Sequence, residues 1–199
     1  MSSWADSLDQ LKSDLTAHPM RIAAHQDMPF AIFCYTPSVE FMLRKQLRLL
    51  AITLQHERER KVTFVSLSRL VWDVVKTHGG TDYLFKTESA RGFRAAQQHI
   101  NNLLTSPDFQ PASDALLSRM ADLSPEKDVV FLVRAGGFAP GIFHTSVLLD
   151  GLHGHTMVPV VLFYPGSARV GTDLRFYDIP SDGNLGVYNY RVRVYGAES

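Results

Sequence analysis

Phe30-Ala-Ile-Phe-Cys-Tyr35, running into Thr36-Pro-Ser-Val-Glu40, is the stretch that decides the fold. Six apolar residues in a row have the length of one strand, and a strand without a polar face needs cover on both sides. Thr36-Pro37 marks the start of a helix. Thr can accept a hydrogen bond from the first orphan N–H groups, and Pro at the first helical position sacrifices no bond. Val39, Leu43, Leu47, Leu50 and Leu54 then recur at helical spacing, the apolar stripe of an amphipathic helix. A buried strand followed by its covering helix opens a βαβ unit, and hence a parallel sheet.

The pattern repeats downstream. Residues 62–66 read as a second strand and residues 67–76 as a helix stopped by Gly79-Gly80. Residues 81–123 read as mostly helical, with breaks at Pro107 and Pro111. Residues 128–133 form a third strand, a glycine-rich turn leads to a helix over about 143–152, and residues 159–164 form a fourth strand. Upstream, Trp4, Leu8, Leu11 and Leu15 predict a short helix over residues 3–17, capped by Ser2 or Ser3 and ended at His18-Pro19. The tail differs. Residues 174–177 and 188–195 alternate large apolar residues with Arg, as strands with one wet face do, and are expected at one edge of the sheet. The expected fold is a single α/β domain over residues 1–199 with a mainly parallel sheet flanked by helices. Such a scaffold is a degenerate form of the nucleotide-hydrolase-like or Rossmann-like architecture.

The chain has 199 residues, 45% of them apolar, which is enough for a packed core and too many for a disordered segment. Twenty basic residues offset twenty acidic ones, so no global field draws the molecule onto nucleic acid or an anionic membrane. Cys34 is the only cysteine, which excludes an internal disulfide and a thiol-rich metal site. Residues 1–17 lack the apolar run of a secretory signal, and the apolar run 158–164 is too short for a bilayer. A cytoplasmic protein without membrane contact is the expectation.

The common catalytic templates fail in turn. The turn after the first strand has neither the glycines nor the Lys of a phosphate-binding loop, and Pro37 removes a donor. Cys34 stands at a strand end, but a thiol phosphatase needs Arg six positions on, where this chain has Glu40. A buried, inert thiol fits better. Gly136, Gly137 and Gly141 follow a strand and precede a helix, where doubly wound folds bind ligands, yet their spacing and Pro140 suit a tight turn. His144, Asp150, His153 and His155 are metal-ligand types, but on a helix His144 and His153 face different ways and two ligands close no zinc site. His near a helix C-terminus is the simpler account. No nucleophile elbow surrounds Ser167. No cofactor is expected.

What remains is a surface. Arg169, Arg175, Phe176, Tyr177, Tyr188, Tyr190, Arg191 and Arg193 crowd the tail, and Arg and Tyr are enriched where proteins bind one another. The same residues suit a nucleic-acid strand or an edge strand guarded by charge, and the neutral charge balance favours nucleic acid least.

Tyr35-Thr-Pro-Ser-Val-Glu40 resembles the Tyr-x-Pro-x-x-Glu turn of the BrxB family of BREX (bacteriophage exclusion) systems. Val158-Pro-Val-Val-Leu-Phe-Tyr-Pro-Gly166, then Gly171 and Leu174-Arg-Phe-Tyr177, is similar to the family's later segment. Asp182, Asn184, Tyr188, Tyr190 and Arg191 resemble its Asp/Asn turn and Tyr-Tyr-Arg strand, with residues 183–187 inserted and Asn189 between the tyrosines. The resemblance covers residues 30–195. It implies an antiphage role beside a phosphatase-like PglZ protein, an ATPase and a methyltransferase, with no catalytic activity to carry over. An adaptor that docks PglZ, or the ATPase, is the implied function, with Tyr35, Thr36, Pro37 and Glu40 as the family turn; the alternatives are a regulatory protein that binds a nucleotide or phosphate at the 135–141 loop and a subunit that contacts DNA through its basic C-terminal strands.

Overall fold

The structure, a computed structural model, describes residues 4–23, 28–138, 142–168, 174–177 and 192–196. Its elements run α1 (Trp4–Thr16), β1 (Phe30–Tyr35), a 3-10 turn (Pro37–Val39), α2 (Glu40–Arg58), β2 (Lys61–Ser66) and α3 (Leu67–Thr77). There follow α4 (Gly80–Arg91), α5 (Phe93–Thr105), α6 (Ala112–Met120), β3 (Asp128–Val133) and a second 3-10 turn (Ala135–Phe138). The chain closes with α7 (Thr145–Leu152), β4 (Val160–Ala168), β5 (Leu174–Phe176) and β6 (Arg193–Tyr195).

Five strands lie in the order β2-β3-β4-β1-β6, all parallel, while β5 runs antiparallel to the end of β4. Alternation along β1 explains the two cores. Phe30, Ile32 and Cys34 pack on one face with apolar residues of α3, α5, α6 and α7, and Ala31, Phe33 and Tyr35 pack on the other with α1 and α2. The α/β fold with a mainly parallel, doubly covered sheet is therefore the one the buried strands predict.

On the α2 face, phenylalanines from four neighbouring strands meet. Phe33 contacts Phe163 at 5.6 Å between centroids, Phe163 contacts Phe131 at 5.1 Å, and Phe131 contacts Phe64 at 5.6 Å. Such tilted and edge-on pairs each add ~1 kcal/mol beyond burial and fix the register of the strands that carry them.

Local readings are corrected in four places. The Thr36 side chain makes no cap bond; the turn is held instead by its carbonyl, which accepts from the Val39 N–H at 3.0 Å. Gly79-Gly80 stops α3 but also opens α4, with Gly79 in the left-handed region at φ 93°. Gly92, at φ 82°, divides α4 from α5, a break that a proline search misses. The tail strands do not share one edge: β6 lies beside β1, whereas β5 pairs with residues of β4 beyond its pairing with β1. Gly166 allows that switch of partners. At its φ of 139°, a Cβ would stand 1.9 Å from the Arg175 carbonyl oxygen.

Candidate functional site

The carboxyl ends of parallel strands, at the point where chain connections diverge to the two faces, are where open α/β sheets bind ligands. Here β1 feeds α2 on one face while β2 and β3 feed helices on the other. The carboxyl ends of β1 and β4 carry a polar knot. Tyr35 is buried, and its hydroxyl donates to Glu40 Oε2. Arg44 Nε donates to Glu40 Oε1 at 2.7 Å, one helical turn on. Burial, reinforced by the Glu40 carboxylate, holds the Tyr35 phenol protonated far above its ordinary range. Tyr177 is raised by the same two causes in the same order. A phenol held protonated donates hydrogen bonds and supplies no base near neutral pH.

Tyr177 sits at φ 51°, and its N–H bonds the Pro165 carbonyl at 2.9 Å. Its hydroxyl lies against the glycine turn: a Cβ on Gly136 would be 2.7 Å from the Tyr177 Oη, and one on Gly137 would be 2.5 Å from the Ser68 Cα. The two glycines thus allow Tyr177 and α3 to approach the turn closely, a packing role that accounts for them. Gly141, the third glycine of that loop, lies outside the described residues. The Tyr35–Glu40 turn is brought together only in part: Tyr35 and Glu40 join, Pro37 opens the 3-10 turn, and Thr36 faces solvent.

The Arg/Tyr tail divides. Phe176 is buried against Tyr164 and Tyr177, so it belongs to the core and presents no surface. Arg193 pairs with the buried Asp14 at 2.9 Å and donates to the Arg21 carbonyl at 2.7 Å, a structural engagement. Arg175 is exposed. Arg169, Tyr188, Tyr190 and Arg191 lie outside the described residues. His144 and His153 flank α7 at its two ends, and Asp150 and His155 are exposed. Among the described residues no three His, Cys, Asp or Glu groups converge as metal ligands. Cys34 is buried, and no helix among the described residues is long and apolar enough to cross a membrane.

One surface escaped the sequence reading. Helix α2 buries Leu43, Leu47, Leu50 and Leu54, yet it also exposes Phe41 (81%), Met42 (57%), Leu49 (49%) and Ile52 (55%). Large apolar residues on the solvent side of a helix that already owns a complete buried stripe are the signal that could have revealed it. Met42 also lines a groove between α1 and α2 with Trp4 and Leu8.

Comparison with known proteins adds the family. The family described as "BREX protein BrxB" matches residues 63–194 of this chain. A "BREX protein BrxB" from Bacillus cereus (strain H3081.97) is 22% identical over 142 residues, which is 71% of this chain and 72% of that protein. No solved structure matches the chain. The family match spans β3, β4 and β5 and reaches into β6, the strands that carry the Phe-Tyr-Pro-Gly element and its partner-switching glycine. On that match, which takes in more than half of the sequence, the chain belongs to the BrxB family of BREX proteins.

Proposed function

We propose that this chain is a non-catalytic subunit of a BREX-type phage-defence system, acting as an adaptor that docks a PglZ-like subunit. Family membership supports the pathway. The observation that carries the adaptor role is the exposed apolar side of α2, where Phe41 and Ile52 stand in solvent on a rigid helix anchored by four buried leucines. Rigid apolar anchors ringed by polar groups are what a protein interface requires. The polar knot contributes by fixing the start of that helix: Tyr35 and Arg44 both hold Glu40, its first residue. A hydroxyl kept protonated and a carboxylate occupied on both oxygens suit scaffolding better than acid–base chemistry. Arg175 is a further candidate contact in this reading, as are Arg169, Tyr188, Tyr190 and Arg191, which lie outside the described residues; the ATPase subunit is the alternative partner.

Co-purification of the chain with the PglZ-like subunit tests the reading. A stable complex is expected, and Phe41→Asp with Ile52→Asp should weaken it at least tenfold while leaving the melting temperature unchanged, since both side chains already face water. A monodisperse chain that ignores both partners at micromolar concentration would overturn it. The tail is best probed by Arg191→Glu alone, because Arg193→Glu would set a second acid against Asp14.

A further inference from the structure

A cleft of about 320 Å³ opens beside the carboxyl ends of β2 and β3, and four arginines line it. Arg44 and Arg48 come from successive turns of α2, Arg69 from the first turn of α3, and Arg134 from the residue after β3. No acidic side chain is among the lining residues. Arg44 has a partner in Glu40 through Nε, which leaves its terminal nitrogens as donors. The side chains of Arg48, Arg69 and Arg134 have no hydrogen bond or ion pair among the described residues. Guanidinium groups gathered from three separate elements repel one another, and among the described residues Glu40, on Arg44 alone, is the one acid paired with them.

Two further features point the same way. Arg134 holds φ 59°, a left-handed conformation that a residue with a side chain adopts at a cost, and it is pinned there by Gly137 N–H and Ser68 Oγ, both donating to its carbonyl. Ser66 caps α3 by accepting from the Arg69 N–H, so its own hydroxyl hydrogen remains to be donated, and the positive end of the α3 dipole meets the cleft. Donors that converge from several directions on one small volume match a tetrahedral oxyanion, each oxygen of which accepts more than one bond. Phe64, 43% exposed, forms part of the same lining and offers a ring beside the charge.

We infer that this cleft is a binding site for a phosphate group, free or carried on a nucleotide whose base lies against Phe64. The site is distinct from the glycine turn over residues 135–138 and from the apolar side of α2, and it needs no protein partner. Titration calorimetry of the purified chain in a low-salt, non-phosphate buffer, with inorganic phosphate and with adenosine monophosphate, tests it. Saturable binding at millimolar concentration or tighter is expected, weakened about tenfold by Arg69→Ala and by Arg134→Gly, since a charge-assisted bond of this kind is worth roughly that factor. Arg134→Gly should lose phosphate while its melting temperature holds or rises; a purely structural Arg134 would give the opposite pair of results. Equal affinity for the two probes assigns the site to free phosphate. Tighter nucleotide binding that Phe64→Ala abolishes assigns it to a nucleotide. Absence of saturable heat, binding indifferent to both arginine variants, or a glutamate-rich peptide outcompeting phosphate for the same arginines would each overturn the proposal.

Discussion

Two groups of arginines sit on this molecule in opposite circumstances. At one end Arg21 and Arg193 surround Asp14, whose side chain is only 7% exposed, at 3.2 Å and 2.9 Å. Tyr195 donates to the same carboxylate at 2.9 Å, and the Arg21 N–H bonds the Asp14 carbonyl at 3.0 Å. Every oxygen of the buried acid is satisfied, and the node ties α1 to β6. Beside β2 and β3, Arg48, Arg69 and Arg134 surround open space instead. The residue type is the same, yet one group builds architecture and the other presents charge. A buried acid makes the difference: it must be neutralised to be buried at all, whereas exposed guanidiniums are at ease in water and free to meet an anion.

Breaking that contrast at its strong end should have the largest effect. Asp14→Ala leaves Arg193 half-buried without its acid and is expected to destabilise the fold by about 3 kcal/mol, read as a shift in the urea midpoint at constant slope. Tyr195→Phe removes one donor to the same acid and should cost about 1.5 kcal/mol in the same assay.

Alkaline pH sharpens the point. Burial, then the bond to Asp14, raises the Tyr195 phenol above its ordinary value, and Tyr35 is raised by burial and Glu40. Their contribution is fully present below pH 10, the usual tyrosine value, and is lost as pH rises beyond it, because the unfolded chain releases those protons first. Urea midpoints should therefore fall as pH rises above about 10, less steeply in Tyr195→Phe or Tyr35→Phe; a slope unaltered in both would contradict the assignment.

The cleft should respond oppositely. Arg134→Gly is expected to leave stability unchanged or raise it by about 0.5 kcal/mol, glycine tolerating the left-handed φ. Arg48→Ala and Arg69→Ala, exposed and without side-chain partners among the described residues, should stay within about 0.5 kcal/mol of the parent. A large loss in either would show that the cleft is architecture after all.

Much of the fold was legible in the sequence because its signal is local. A six-residue apolar run followed by Thr-Pro and a leucine stripe requires a buried strand and a covering helix, and β1 and α2 follow within a residue or two. The Phe-Tyr-Pro-Gly element, which lies inside the matched span, was legible as a string, though not its physical reason; the Tyr35–Glu40 turn lies ahead of that span. Gly166 answers to a carbonyl on β5, and Gly137 to the backbone of α3. Two residues of the tail were misjudged for the same reason. Phe176 and Arg193 have the composition of a surface, and only the positions of Tyr164 and Asp14 show that one is core and the other a structural pair.

Strand and helix content, the doubly covered parallel sheet and the family resemblance were thus fixed by residue order, since periodicity and turn chemistry act over a few residues. Strand order, the burial of Asp14 among its cations, the bare side of α2 and the meeting of four arginines in one cleft were decided only by tertiary structure. Each of those depends on groups far apart along the chain. Whether a charge is partnered or exposed is set by what the fold brings to within a few ångströms of it.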